Sequence, residues 1–257
     1  MVGQTFFGNF DLASAAIWGF WLFLALLIYY LQTESMREGY PLEDETEHGS
    51  PREGLFSLPM DKTFKLPHGR GEVSVPSGQR PDRSDIALER SSMSAGSPYI
   101  PTGDPMVDGV GPASWANRRD VAELDAHGHA KIKPMSQLPD FAFAAGRDPR
   151  GKVVVTGDGE VVGRVIDMWI DVPESLVRYL TVDLNPEGSG NTRLVPMNMA
   201  RIKSDRVTVR SIYAAQFEGV PQPKAEGEIT LLEEEKIMAW FGGGTLYADP
   251  KRLEAQL

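Results

Sequence analysis

The sequence contains no cysteine. That excludes disulfides, thiolate metal sites and cysteine nucleophiles. Histidine is nearly as scarce, with His48, His68, His127 and His129 making up all four. Mechanisms that turn on an imidazole base therefore have few candidates. Positive charge forms no concentrated run. Acidic side chains outnumber basic ones 36 to 26, for a formal net charge of −10. The basic face that nucleic-acid binding needs is missing, so no nucleic acid is expected as a partner. No phosphate-cradling glycine loop, nucleophile elbow or zinc-hydrolase helix motif occurs. The "GGG" at 242–244 follows a helical pattern rather than opening one, and reads as its stop.

Charge is absent altogether from residues 12–31, "LASAAIWGFWLFLALLIYYL". At 1.5 Å per residue such a run reaches roughly 30 Å, the thickness of a bilayer's hydrocarbon core. Ten of its residues are Leu, Ile or Phe, which favour insertion by at most about 3 to 6 kcal/mol. A secretory signal peptide wants a positive n-region, a shorter run and a small-residue cleavage site. The first eleven residues carry no Lys or Arg, and the run ends in Tyr29, Tyr30, Leu31 and Gln32. A core helix would be apolar on one stripe rather than all round. A retained transmembrane helix over 12–31 is the expectation. Tyr29 and Tyr30 suit the interfacial belt, and Trp18 and Trp21 suit contact with a neighbouring membrane helix. Arg37 is the first basic residue, which puts residues 1–11 outside and the bulk of the chain in the cytoplasm.

Residues 32–110 are rich in Pro, Gly, Ser and charge. One short strand, Glu72 to Val75, stands out; the rest reads as an extended arm over a partner's surface or as a flexible linker. A globular domain is expected over 111–257. Within it "KVVVTGDGEVVGRVIDMWID", "VRYLTVDL", "TRLVPM" and "RVTVRSI" read as short strands separated by turn signals such as "NPEGSGN". Their spacing implies a small antiparallel barrel or sandwich over about 150–212. Thr230 followed by Glu233 is a capping-box pattern, opening a C-terminal helix over about 231–241. The fold class expected is thus one N-terminal transmembrane α-helix plus a mainly-β domain, with an arm and a short C-terminal helix.

Two clusters could carry chemistry. In "ELDAHGHAKIK", Asp125, His127 and His129 stand at i, i+2 and i+4, which points them the same way on an extended segment. Two imidazoles and a carboxylate suit a divalent metal, or proton exchange near neutral pH. Three ligands without a fourth are a weak motif, and an exposed polar loop without a role has the same signature. In "DMWIDVPESLVR", Asp171, Glu174 and Arg178 surround a Pro-marked turn. Turn carboxylates are commonly solvated and silent; the functional alternative is an acid tuned for proton transfer. A metal-dependent enzyme at the first cluster lacks a base motif. A membrane-tethered β-barrel adaptor binding protein or RNA is the other alternative.

Read together, "GNFDLA", "YYLQTESMREGYPLE", "LPHGRG", "PTGDPMVDGVGPASWANRRD", "ELDAHGHAKIKPM" and "TLLEEEKI" resemble, in that order, the H subunit of the purple-bacterial photosynthetic reaction centre. The resemblance covers nearly the whole chain and thins over residues 44–62 and after Arg252. It implies one membrane helix with a periplasmic N-terminus, and a cytoplasmic domain around a PRC-type β-barrel, in the intracytoplasmic (chromatophore) membrane. The implied partners are the L and M subunits, which would hold bacteriochlorophyll, bacteriopheophytin, quinones, non-haem iron and carotenoid; none would sit on this chain. Lipids and an antenna ring are further contacts that the resemblance allows. The implied role is not enzymatic: the chain would stabilise the L and M core, cap its quinone side and conduct protons to the secondary quinone. On this resemblance Asp125, His127 and His129 match the proton-entry surface, which also takes an incidental inhibitory divalent ion. Glu174 matches an acid near the secondary quinone, and Asp171 and Arg178 match its charged neighbours.

Overall fold

The computed structural model describes residues 5–8, 10–42, 54–94, 96–185 and 190–253. Parts of the N-terminal segment, of the 32–110 arm and of the "NPEGSGN" turn therefore lie outside the described residues. Contacts divide the chain into two compact units, Met1–Arg80 and Pro81–Leu257.

In the first unit β1 (Thr5–Phe7) and β2 (Phe10–Asp11) pair antiparallel and lead into α1 (Leu12–Ser35). Asp11 caps this helix, its carboxylate accepting from the Ser14 N–H at 2.8 Å and the Ser14 hydroxyl at 2.9 Å. The 24-residue helix outlasts the apolar run by one polar turn. There the Thr33 and Ser35 hydroxyls fold back onto the Tyr29 and Leu31 carbonyls, each at 2.8 Å. These back-bonds keep the hydroxyls satisfied within the helix. None of its residues is buried, as befits a helix whose apolar surface meets lipid or another chain. Among the described residues it is the one helix long and apolar enough to cross a membrane. Beyond it β3 (Lys62–Lys65) and β4 (Glu72–Val75) form a hairpin. The strand expected at Glu72–Val75 is present; its partner "KTFK" is exposed throughout, so no alternation of burial advertises it.

The second unit opens with the hairpin β5 (Leu88–Arg90) and β6 (Tyr99–Pro101), then the single turn α2 (Pro105–Asp108). Arg83 stacks 4.2 Å from the Trp115 ring centroid and donates to the carbonyls of Gly109 and Asp108. The stretch from Pro81 thus packs with the globular unit, where the sequence suggested an arm reaching residue 110. The main sheet is built from β7 (Ile132–Pro134), β8 (Val153–Val155), β9 (Val161–Asp171), β10 (Leu176–Asp183), β11 (Thr192–Pro196), β12 (Ala200–Ile202) and β13 (Arg206–Val209). Its order is β11-β10-β9-β8-β13-β12, with β7 on the free edge of the C-terminal half of β9. The mainly-β character matches expectation, with one difference. β13 runs parallel to β8, which is possible because four strands intervene between them and supply the long crossover a parallel pair requires. The two end strands, β11 and β12, are consecutive and joined by one 3₁₀ turn, Met197–Met199. The sheet therefore curls toward itself, while no β11–β12 ladder closes it among the described residues.

Val154, Val165, Leu180, Val182, Val207 and Val209 fill its interior, each no more than 1% exposed. Full burial of such a side chain stabilises by about 1.5–3 kcal/mol, so this layer is a large contributor to the unit's stability. α3 (Leu231–Tyr247) adds Ile237 and Phe241 to the same core, with Phe217 edge-to-face on Phe241 at 6.2 Å. The expected capping box is formed: Thr230 accepts from the Glu233 N–H, and Glu233 accepts from the Thr230 N–H at 2.9 Å. The helix does not stop at Gly242–Gly244; it runs through them to Tyr247. These glycines serve close approach. A Cβ on Gly243 would stand 2.5 Å from Ala113 Cβ, and one on Gly244 would collide with Ile212.

Candidate functional site

Asp125, His127 and His129 do not lie on an extended segment. Lys131 N–H to Glu123 and Asp125 N–H to His129, both 2.8 Å, close a narrow hairpin around the Leu124–Ala130 bridge. Its tip is set by Gly128 at φ +87°, a conformation that favours glycine. It is also set by Asp125 Oδ1, which accepts from the N–H groups of His127 at 2.8 Å and His129 at 2.9 Å. Those donors, His129 first, hold the Asp125 carboxyl below the usual carboxylate range in spite of its partial desolvation. Both imidazoles are exposed. Asp125 Oδ2 lies 3.6 Å from His129 Nδ1, and the ring centroids stand 6.4 Å apart. Among the described residues no three His, Asp or Glu side chains are gathered as a metal-ligand set. The period-2 argument misplaced these side chains because a turn, not a strand, carries them.

The second cluster sits on the turn between β9 and β10, residues 172–175, with Ser175 at φ 53°. Asp171, the last residue of β9, is 1% exposed. Its Oδ1 accepts from the Glu174 N–H at 3.3 Å. Lys131 joins this turn to the base of the hairpin, not to Asp125, His127 or His129. Its Nζ is 3.3 Å from Asp171 Oδ2, 3.3 Å from Glu174 Oε1 and 3.7 Å from Glu123 Oε2. The backbone enforces this meeting. β7 pairs Ile132 with Asp171, and the Val172 N–H donates to the Lys131 carbonyl at 2.9 Å. Burial works against the charge on Lys131, but the surrounding carboxylates outweigh it and raise its pKa above the ordinary lysine value.

Arg178 is not brought to this lysine. It is the unpaired residue of a bulge in β10, between the pairs Val177–Ile170 and Tyr179–Trp169, and bulges re-aim side chains in this way. It lines a hollow of about 260 Å³ with Arg118, Glu123, Tyr179, Glu234 and Glu235. A water occupies ~30 Å³, so several fit. Tyr179 donates its hydroxyl to Glu234 Oε2 at 2.8 Å.

Residues 4–137 match the family model described as the photosynthetic reaction centre, H-chain N-terminal region. That is more than half of the chain, and residues 142–216 match the PRC-barrel domain model. The chain belongs to the reaction-centre H-chain family. It is a structural subunit of an electron-transfer complex, associated with the L and M core and anchored by a single pass through the membrane. The H chain is the pigment-free subunit; the cofactors belong to L and M.

In this H chain, Lys131 and Glu234 are the site residues that sequence reasoning missed. Lys131 lay within the quoted "ELDAHGHAKIK", yet nothing local marked it, because its two nearer carboxylate partners, Asp171 and Glu174, lie forty or more residues on. Glu234 follows the capping box directly, in a first helical turn where any glutamate suits the helix dipole, so its position alone does not mark it. Burial, opposed by the Tyr179 hydroxyl and the Arg178 charge, raises its pKa above 4.5. The neutral carboxyl is thus the form the fold favours. Its stabilisation is complete below the unfolded pKa near 4.5 and is lost as pH rises through the higher folded value. Glu234→Gln keeps an acceptor for Tyr179 and cannot ionise. The variant is expected to match the parent's melting temperature in acid and to gain on it progressively toward neutral pH. Thermal melts of the complex across pH check this; parallel profiles would contradict it.

Proposed function

We propose that this H chain caps the quinone side of the L and M core and conducts protons from the cytoplasm to the secondary quinone. In this reading the N-terminus is periplasmic, the second unit is cytoplasmic and the host is the intracytoplasmic membrane. His127 and His129, with Asp125, collect protons at the exposed hairpin tip. Glu123, Asp171 and Glu174 carry them onward around Lys131, and Arg178 with Glu234 flanks the hollow beside them, which has room for several waters. The observation that carries the reading is one lysine, Lys131, within 3.3–3.7 Å of Glu123 at the base of the hairpin and of Asp171 and Glu174 at the β9–β10 turn.

The chemistry is consistent at each step. A quinone enclosed in protein takes up protons only through titratable groups or ordered water. Imidazoles exchange protons near neutral pH, and carboxylates within reach of one another pass them on. Lys131, with a raised pKa, stays protonated and holds the acids in place rather than shuttling. A zinc-type ion taken up by Asp125, His127 and His129 is incidental here, and removes the same groups from exchange.

The test is flash-induced proton-coupled electron transfer to the secondary quinone in the assembled complex. Replacing His127 and His129 together by alanine is expected to slow it by about tenfold at alkaline pH, less than the ~10²-fold of a single positioned acid–base group, because other surface groups still take up protons. The loss shrinks in acid, where bulk protons are plentiful, and added zinc then has no further effect. Unchanged kinetics at alkaline pH, with or without zinc, would remove the entry role.

A further inference from the structure

Within the first unit the chain returns to α1 after leaving it. Residues 54–60, "GLFSLPM", carry no charge, and Leu55, Phe56, Leu58 and Met60 are apolar. Phe56 packs edge-on against Tyr29, with ring centroids 5.4 Å apart. Tyr29 lies six residues before the end of the helix, Ser35, which is about 9 Å back along its axis. The segment then climbs: Arg37 donates to the Met60 carbonyl at 2.7 Å, and Lys62 reaches Glu34 at 3.5 Å. Arg37 also clasps both Glu34 oxygens at 2.9 Å. Phe56 is thus held to the helix and Met60 to Arg37 just past its end, at two depths. Leu55 is nonetheless 96% exposed and Met60 89% exposed.

We propose that residues 54–60 form an interfacial strap that seats Leu55 and Met60 in the lipid at the headgroup–acyl boundary, on the side of the membrane where α1 ends. The occupant is lipid rather than protein because the strap lies against the tyrosine end of the spanning helix. Tyrosines mark the headgroup level, and the strap continues that helix's own exposed apolar surface. An uncharged apolar stretch beside a spanning helix gains by dipping into this layer. Charge resumes at once with Asp61, Lys62 and Lys65, where the chain would rise into the headgroups. The strap braces the helix exit against tilting, by adding a second lipid contact beside the span.

The absence of cysteine makes the test direct. Leu55→Cys and Met60→Cys are made singly in the assembled, lipid-reconstituted complex and labelled with a nitroxide, and the cysteine-free parent sets the background. Leu26→Cys on α1 and Met93→Cys, a fully exposed position in the second unit, are the lipid and water references. Collision with oxygen, which partitions into lipid, is compared with collision with a water-soluble nickel chelate. The ratio at positions 55 and 60 is expected to lie several-fold above that at 93 and toward that at 26. A ratio equal to that at 93 overturns the proposal, because the strap then stands in water. Low collision with both reagents also overturns it, because a protein partner then covers the strap. If position 26 itself behaves as water-exposed, the membrane span fails and not the strap alone.

Discussion

Replacing Gly244 by valine is expected to destabilise the globular unit by about 3 kcal/mol, the upper range for overpacking a well-filled core. Gly244 lies in α3 where the helix crosses the chain leaving β13. A Cβ there would collide with Ile212 Cγ2 and stand 2.7 Å from the Ser211 carbonyl oxygen. Ile212 is fully buried, so it has nowhere to turn, and the Ser211 carbonyl already accepts from Arg252 at 2.8 Å. Gly244→Ala suffers the same collision in smaller measure, offset by about 1 kcal/mol of helix propensity gained over glycine. Thr245→Ala, one residue on and exposed, separates propensity from packing. Denaturant or thermal unfolding of the full chain should rank the variants Thr245→Ala, Gly244→Ala, Gly244→Val in falling stability. A valine variant as stable as the parent would mean that the helix and the β13 exit do not pack as described.

The same glycines show where sequence reasoning stops. Three in a row after "IMAWF" look like a helix end because glycine's entropy cost opposes helix formation. What they answer is a demand for close approach to Ala113 and Ile212, and no local pattern carries that information. Where the signal is local, the reading succeeded. The charge-free run became α1, the Thr230–Glu233 pair became a capping box, and Val-rich stretches became the strands of the sheet. Where it depended on pairing, it fell short. The parallel β8–β13 pair needs knowledge of four intervening strands. The hairpin at Asp125–His129 replaces an extended segment because a bridge between Leu124 and Ala130 closes it. Type and spacing marked the acids only as clusters, and their roles came from the resemblance; the lysine between them is visible only once β7 lies on β9.

Glu174→Gln is expected to slow proton-coupled transfer to the secondary quinone by about 10²-fold, the lower range for a positioned acid–base group, while leaving stability nearly unchanged. Glu174 is exposed, on a turn, and an amide can still accept from Lys131, now 3.3 Å from its oxygen. What the amide cannot do is take and release a proton. Lys131→Met separates holding from carrying. Asp171, 1% exposed, then loses the cation 3.3 Å away. Removing one member of a fully buried pair costs about 3–5 kcal/mol; with the lysine side chain 21% exposed, about 2 kcal/mol is expected. Lys131→Arg restores the charge and should recover most of the stability. If Glu174→Gln transfers protons at the parental rate while Lys131→Met merely unfolds sooner, the cluster is a structural clasp on the β9–β10 turn. If the carboxylate variant slows transfer without loosening the fold, the acids carry protons and the lysine keeps them in line.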